Sequence, residues 1–377
     1  MITVRGPGMS TPLERFLNTV SFKRPRRVFF REFSLRKATL EKWYEQGLPR
    51  DIHPDEFFGF DRYWSCGFHV DFGPIPPYET VVLEETDRYV IVRDKFGATV
   101  KYFKVHDTGF DTRQWLDFKV KDRKDFEDVK KRFNPHSPKR YPPYWRALVR
   151  CIEIRDAPFG VSFPGQFWWT RDFMGLHGLL RAFYKQPDLV HEMMDFYTEF
   201  VIETLHPLLD EVSIDFVVIN EDMAYKSGPM IGPSLFKEFM YENYKTLAKF
   251  LKEHGVKVVF WDSDGNPEPL LPLLIKAGIN GFLPLEAAAG VDPVEVGRKY
   301  PDLVLLGGID KRVLAFGTER DIEREIMRKV PSLLTRGGCI PTVDHAVPPE
   351  VSLKNYIFYL KVLKGLGVGP ESLRESL

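Results

Sequence analysis

The chain has few cysteines, no excess of charge and no long hydrophobic run. Cys66, Cys151 and Cys339 are its only cysteines, and none has a partner at C-x-x-C spacing, which argues against a disulfide framework or a zinc ribbon. Lysine plus arginine and aspartate plus glutamate number 53 each, so no net field favours nucleic acid or an anionic membrane as a partner. Because a membrane-length apolar stretch and an N-terminal secretory signal are also missing, we expect a cytoplasmic protein.

Loops that bind nucleotide phosphates are missing too. Gly365, Gly367 and Gly369 form a G-x-G-x-G run, but too little chain follows it for a strand-helix-strand unit, and no P-loop pattern occurs. We therefore expect no nucleotide cofactor.

From about residue 159, short apolar runs alternate with helical stretches. The runs are GVSFPG, FVVIN, VKVVFW, INGFLPL, LVLLGG and CIPTV, and the predicted helices are 172–184, 187–211, 233–253, 267–277, 292–299, one opened by Thr318, and 351–364. Such βα units predict one parallel-sheet domain covering 1–377. RVFFREF (27–33) is predicted to be its first strand, after a helix that Thr11-Pro12 opens.

The segment 57–120 differs in character from the rest. It begins with an aromatic, proline-rich stretch, and YVIVRD-KFG-ATVKYFK then predicts a β-hairpin. We interpret 57–120 as an antiparallel β insertion against the barrel, with 57–75 as a lid over its mouth.

Acidic and histidine residues follow the apolar runs. They are Glu221-Asp222, Asp262-Ser-Asp264, Glu286, Asp310 and Asp344-His345. Because they end many different strands, a closed (β/α)8 TIM-type barrel is favoured over an open sheet, whose polar groups would cluster at one switch point. Charged groups that converge on a barrel mouth predict an enzyme.

Five segments resemble one protein family in order and spacing. They are FPGQFWWT (163–170), VVFWDSDGN (258–266), AGINGFLPLE (277–286), LVLLGGIDKRVL (303–314) and DHAVPPEV (344–351). The chain resembles the uroporphyrinogen decarboxylase superfamily, which includes the porphyrinogen decarboxylases and methyl-transferring enzymes of corrinoid-dependent metabolism. The resemblance implies a distorted (β/α)8 barrel.

The sequence departs from the pattern of the true decarboxylase. That enzyme carries an Arg-Gln-Ala-Gly-Arg stretch near the first strand, where this chain reads Phe30-Arg31-Glu32-Phe33-Ser34-Leu35-Arg36. A polycarboxylated tetrapyrrole needs several convergent cations, and here an acidic and an aromatic residue replace part of that set. The resemblance is therefore to the methyltransferase branch, and uroporphyrinogen is not the expected substrate.

The thiol-methylating branch binds zinc through a His-x-Cys and a later Cys, which correspond here to Asp262-Ser263-Asp264 and His345. Positions two apart on a strand share a face, so Asp262 and Asp264 can both point into the mouth. Together with Glu286 and His345 they are predicted to bind one divalent metal ion, zinc foremost. This oxygen-rich set fits an O-methyl donor better than a thiol.

Any corrinoid must arrive on a separate protein. Asp51-Ile52-His53 begins like the Asp-x-His-x-x-Gly signature of corrinoid-binding modules, but Glu56 stands where glycine is required. A partner corrinoid protein is therefore expected if methyl transfer is the reaction, and a homodimer is left open.

Candidate roles follow from these positions. The catalytic candidates are Glu221, Asp222, Asp262 and His345, and the substrate-binding candidates are Arg31, Trp64, His69, Trp168, Arg171 and Lys226. Glu221 and Asp222 cannot both point inward, so one of them is expected to be structural. Asp262 or Asp264 could instead cap the next helix, His345 could be a core histidine, and Lys226 could only pair with Asp222.

Three functions stay open at this point. The favoured one moves a methyl group from a small methylated substrate to a corrinoid protein, with a metal ion or a protonated acid activating the leaving oxygen. The second is decarboxylation, in which an inward carboxylate stabilises a cationic intermediate while Arg31, Arg171 or Lys226 holds carboxylate tails. The third is a binding barrel without chemistry.

Overall fold

A computed structural model describes residues 10–23, 25–63, 68–104 and 113–369. Trp64 and Cys66 lie outside the described residues. The helices are α1 Pro12–Val20, α2 Lys37–Glu45, α3 Pro54–Phe58, α4 Arg123–Lys130, α5 Trp145–Glu153, α6 Gln166–Met174, α7 Leu176–Lys185, α8 Pro187–Leu209, α9 Pro233–Phe239, α10 Tyr241–Glu253, α11 Leu271–Ala277, α12 Pro293–Lys299, α13 Lys311–Phe316, α14 Glu319–Arg336 and α15 Leu353–Gly365. None of these helices is both long and apolar enough to span a membrane.

The strands form a parallel sheet, an antiparallel sheet and one short hairpin. They are β1 Val81–Glu85, β2 Tyr89–Arg93, β3 Thr99–Phe103, β4 Arg113–Asp117, β5 Gly160–Pro164, β6 Phe216–Asn220, β7 Ala224–Tyr225, β8 Gly228–Pro229, β9 Val258–Asp262, β10 Gly281–Leu283, β11 Val304–Leu306 and β12 Cys339–Ile340. The parallel sheet has six strands in the order β12-β11-β10-β9-β6-β5. Each of the six apolar runs predicted after residue 159 therefore contains a strand, and the α/β fold is confirmed.

Local sequence signals explain most helix boundaries. Thr11 and Thr318 each accept a hydrogen bond at the start of α1 and α14, in reciprocal capping boxes with Glu14 and Asp321. The helix predicted at 172–184 begins earlier and is broken at Gly175, which has φ +72 and leaves no room for a Cβ because the Phe118 ring lies 2.3 Å from its position. The positive φ of Gly175 thus divides α6 from α7.

Two segments without regular secondary structure, 28–35 and 60–63, lie beside the six strands. They line the same central cavity as the strands, and Leu35 forms a parallel bridge with Val347. The prediction of a regular strand at 27–33 is wrong, because the Phe30 N–H donates to Asp61 Oδ2 at 2.9 Å instead of to a strand carbonyl. Arg15 and Arg27 both pair with that buried Asp61 carboxylate.

Apolar side chains fill the lower part of the barrel. Phe16 of α1 packs on Phe29 and Phe216 with ring centroids 5.3 and 5.4 Å apart, so α1 covers the end where the strands begin. The strands contribute Val258, Phe260, Leu283, Val304 and Ile340 to this inner cluster. Since that end is filled, the chemistry is left to the opposite end, where the strands finish.

The predicted β insertion is confirmed as a four-stranded antiparallel sheet, β1-β2-β3-β4. β2 and β3 pair from Tyr89 with Phe103 to Arg93 with Thr99. Asp94 closes the turn between them, since its Oδ1 accepts hydrogen bonds from the N–H groups of Phe96 and Ala98 at 2.9 and 3.0 Å. The turn signal in the sequence was therefore sufficient to predict the hairpin of β2 and β3.

Candidate active site

Strand register brings two polar residues to the top of the barrel lumen. Asn220 at the end of β6 pairs with Asp262 at the end of β9. Phe216, Val218 and Asn220 line a central cavity of about 380 Å³, as does Phe260. Because alternate strand residues share a face, Asp262 points to the same side as Phe260, into the lumen.

Asp262 lies beside two further carboxylates. Burial raises its pKa well above the ordinary value, and the charges of Asp222 and Asp264 raise it further. The pKa of Asp222 is also raised, first by burial and then by Asp264. Burial and the neighbouring charges therefore favour the neutral form of Asp262, which is a proton donor.

The backbone around Asp222 sets this arrangement. Asp222 has φ +40, a conformation that few residues other than glycine adopt, and its Oδ1 accepts from the Asp264 N–H at 3.3 Å. Its carbonyl accepts a hydrogen bond from Arg171 Nη1 at 2.8 Å. The strained turn after β6 thus aims the Asp222 carboxylate at the loop after β9.

His345 pairs with one member of the carboxylate group. Its Nε2 lies 3.2 Å from Asp264 Oδ1, and its ring packs against Phe33 with centroids 5.7 Å apart. The preceding Asp344 is fully buried and accepts hydrogen bonds from the N–H groups of Ala287 and Lys311. Asp344 therefore holds the loop, while His345 faces the mouth.

Glu286 is already neutralised by protein groups. Its Oε1 lies 3.3 Å from Lys311 Nζ, and its Oε2 accepts from the Gly265 N–H at 2.9 Å. Among the described residues, no three of Asp262, Asp264, Glu286 and His345 bring ligand atoms within 4.8 Å of one another. As arranged, this set does not fit a divalent ion, and zinc at the mouth stays a prediction of the sequence.

Glu221 lies on the outer side of the barrel wall. Its carboxylate accepts from the N–H groups of Phe167 and Trp168 at 3.2 and 2.9 Å, at the start of α6, and from the Tyr244 hydroxyl. Burial raises its pKa to about 7. Of the adjacent pair Glu221 and Asp222, Glu221 is therefore the structural member, because it caps a helix N-terminus.

A second cavity, of about 700 Å³, lies between the insertion and the barrel mouth. The barrel contributes Trp168, Arg171, Asp172, Asn220 and Asp222, and the insertion contributes Asp94, Phe96, Ala98, Arg113 and Trp115. Asn220 also lines the central cavity, so the two cavities meet beside Asp262. The antiparallel sheet is thus the element that covers this side of the mouth.

The comparisons with known proteins agree with this architecture. The family model described as uroporphyrinogen decarboxylase (URO-D) matches residues 120–366, well over half of the chain. The chain belongs to the uroporphyrinogen decarboxylase family. No curated protein sequence matches it.

One solved structure shares its fold with nearly the whole chain. A methyltransferase from Methanosarcina mazei is 14% identical, with a TM-score of 0.60 and coverage of 95% of this chain and 99% of that one. A B12-independent methionine synthase from Shewanella sp. W3-18-1 is 12% identical, with a TM-score of 0.39 and coverage of 88% and 85%. At 14% identity, the first likeness is evidence for the fold.

The structure brings some of the predicted substrate-binding residues of this URO-D member to the mouth. Trp168 and Arg171 line the larger cavity, with the Arg171 guanidinium 4.9 Å from the Trp168 ring centroid. Arg31 lines the central cavity, where it pairs with Asp55 at 2.7 Å and lies over Tyr63. These three residues are therefore positioned to contact a bound molecule.

Other substrate-binding candidates lie elsewhere or cannot be placed. Lys226 is exposed in the turn between β7 and β8, and His69 is exposed beside Phe68. Phe68 packs on Phe159, just before β5, which is the end of that strand away from the mouth. The stretch 68–72 therefore runs along the outside of β5 and does not cover the mouth, whereas Trp64 lies outside the described residues.

Sequence reasoning missed two acidic residues. Glu32 lines the central cavity, accepts from Tyr359 Oη at 2.9 Å and the Val343 N–H at 3.2 Å, and has a pKa raised to about 7 by burial. Asp172 lines the larger cavity, and burial raises its pKa to about 7. The signal for Glu32 was an acidic residue among the aromatics of 29–33, whereas Asp172 had none because it lies within a helix.

Proposed function

We propose that this protein moves a methyl group from a small O-methylated substrate to a reduced corrinoid carried by a separate protein. One observation carries the proposal: Asp262 follows the strand alternation into the lumen, where burial and the charges of Asp222 and Asp264 raise its pKa and favour its neutral form. Cleavage of a methyl–oxygen bond leaves an oxyanion, and this neutral acid can protonate it.

The reaction consists of a methyl transfer from the substrate and a proton transfer from Asp262. A reduced corrinoid on the partner protein would supply the electron pair of the new bond to the methyl group, and the electrons of the broken C–O bond would stay on oxygen. Asp262 donates its proton to that oxygen and becomes a carboxylate. Solvent then returns a proton to Asp262, so the acid is reset without a net change in its charge, and His345 lies at the mouth paired with Asp264.

The two cavities supply the binding volume for such a substrate. The central cavity is lined mainly by apolar residues such as Phe29, Val218 and Phe260, and the larger one adds Trp168 and Arg171. A small aromatic or aliphatic ether can lie against these walls with its oxygen beside Asp262. A substrate that fills the cavity under the antiparallel sheet would displace water, which would strengthen electrostatic interactions at the acid.

A second function, decarboxylation of a carboxylated substrate, is favoured by the arginines at the mouth. Arg113 and Arg171 both line the larger cavity, where their guanidinium groups could hold carboxylate tails. Each lies over a tryptophan ring, Trp115 and Trp168, which orients it. In that reaction Asp262 would protonate the carbon that loses carbon dioxide.

One experiment separates the two reactions. The protein is mixed with a reduced corrinoid protein and a panel of methyl ethers, methylamines and methyl thioethers, and the absorbance of methyl-cobalt is followed. We expect the signal with methyl ethers and none when the corrinoid protein is omitted. Release of carbon dioxide from polycarboxylates without any corrinoid would instead establish the decarboxylase. A chain that does neither would be a binding barrel.

A further inference from the structure

A cluster of metal-ligating side chains lies on the outside of the barrel, far from the mouth. His206, Asp210 and His254 form a set whose ligand atoms all lie within 4.8 Å of one another, the one such set of three in the described residues. His206 is in the last turn of α8, Asp210 is the first residue after α8, and His254 is the first residue after α10. β6 and β9 begin only a few residues later, so the cluster lies at the closed end of the barrel.

We propose that His206, Asp210 and His254 bind one zinc ion. His206 and Asp210 are four residues apart and therefore lie on one helix face, one turn apart. Two imidazoles and one carboxylate are ligands that Zn²⁺ takes in open sites, where water completes the tetrahedron.

The distances suit this ion. His206 Nδ1 lies 3.2 Å from Asp210 Oδ2. Two ligands at zinc bond lengths in a tetrahedron are about 3.3 Å apart, so the ion requires little movement of this pair. The His206 and His254 rings are 5.5 Å apart at an angle of 70°, which leaves their nitrogens able to converge on one point.

The surroundings fix the third ligand in a suitable tautomer. His254 Nδ1 lies 2.8 Å from the Phe250 carbonyl oxygen and donates to it, so Nε2 carries a lone pair and is free to bind metal. The Phe250 ring packs against both imidazoles, at 4.4 Å from His254 and 5.9 Å from His206. The hydrogen bond to the Phe250 carbonyl orients His254, and the Phe250 ring packs against both histidines before an ion binds.

The helix geometry favours a cation at the same place. α8 and α10 both end at this cluster, and helix C-termini carry partial negative charge. A surface pair of His206 and Asp210 alone would contribute little to stability, whereas a metal that also binds His254 would join the ends of two helices. A zinc ion at this site would thus link the C-terminal ends of α8 and α10 in the outer helical layer, apart from the chemistry at the mouth.

Titration of the tag-free protein with Zn²⁺ alone tests this proposal. Calorimetry should show one ion per chain, and Zn²⁺ should raise the Tm by about 2–4 °C at saturation. His206→Ala and His254→Ala should each weaken binding by roughly tenfold or more and remove the Tm shift. His136→Ala is the matched control, because His136 is also exposed and lies near α8, 4.0 Å from Glu203, and it should bind as the unchanged chain does.

Two results would overturn the zinc site. One is the absence of Zn²⁺ binding, or equal binding by the His206→Ala, His254→Ala and unchanged proteins. The other is loss of the ion only in an Asp264→Ala, His345→Ala double variant, which would assign the metal to the barrel mouth. Methyl transfer should be unaffected by His254→Ala, so failure of the zinc site and failure of the proposed function are separate outcomes.

Discussion

Replacement of Asp262 by asparagine is the sharpest test of the acid at the barrel mouth. Asparagine has nearly the shape of the neutral acid but no proton to donate. Burial and the charges of Asp222 and Asp264 already favour the neutral form of Asp262, so the variant should fold and keep its lumen. We expect kcat for methyl transfer to fall by about 10²–10⁴-fold, which corresponds to roughly 3–5 kcal/mol in the activation barrier.

The pH dependence gives an independent measure of the same acid. Asp262 must be protonated to act, so kcat of the unchanged protein should fall as pH rises through its raised pKa. Asp264→Asn removes one of the negative charges that raise this pKa. The falling limb should therefore move to lower pH in Asp264→Asn, whereas in Asp262→Asn it should disappear.

The raised pKa of Asp262 also makes the free energy of unfolding depend on pH. A carboxyl group with a raised pKa in the folded state stabilises the fold at pH below its unfolded pKa, and this contribution is lost as pH rises through the folded pKa. Asp262→Asn should therefore be at least as stable as the unchanged protein near neutral pH. Full activity of Asp262→Asn, or an unchanged pH profile, would refute the assignment of Asp262 as the proton donor.

Three further predictions concern the walls and the mouth of the barrel. Burial raises the pKa of Glu32 from 4.5 to about 7, so the unfolding free energy of the unchanged protein should fall by roughly 3 kcal/mol between about pH 4.5 and 7. In Glu32→Gln this fall should be absent, and denaturant titration at several pH values measures both proteins. Gly165→Ala should lower stability by about 1–3 kcal/mol, since its Cβ would lie 2.2 Å from a buried carboxylate carbon, whereas Gly232→Ala has open space and should be nearly neutral in thermal unfolding. Arg171→Ala should raise KM at least several-fold in steady-state kinetics, and the exposed Lys226→Ala should leave KM unchanged; equal effects would contradict the assignment of the larger cavity as the binding site.

Local signals in the sequence were sufficient to predict most elements of the barrel. The period of the apolar runs predicted β5, β6 and β9 to β12, and the reciprocal caps at Thr11 and Thr318 predicted two helix starts. These signals act over a few residues, which is why sequence alone reveals them. The prediction of a strand at 27–33 was wrong because the Phe30 N–H donates to the side chain of Asp61, about thirty positions away, and no local signal reveals that contact.

The position of a residue after a strand determined that it would lie near the mouth, and Asp222, Asp262, Asp264, Glu286 and His345 are all found there. Tertiary structure alone decided what each can do. Asp222 turns inward because its backbone adopts φ +40, whereas the neighbouring Glu221 caps α6.

Charge at the mouth likewise depended on distant partners. Lys311 neutralises Glu286, and burial with two neighbouring carboxylates raises the pKa of Asp262. The sequence was therefore sufficient to predict which residues lie at the end of each strand, because strand pattern and spacing are local signals. The tertiary structure decided their protonation and pairing, because desolvation and Coulomb interactions depend on which groups the fold brings within a few ångströms.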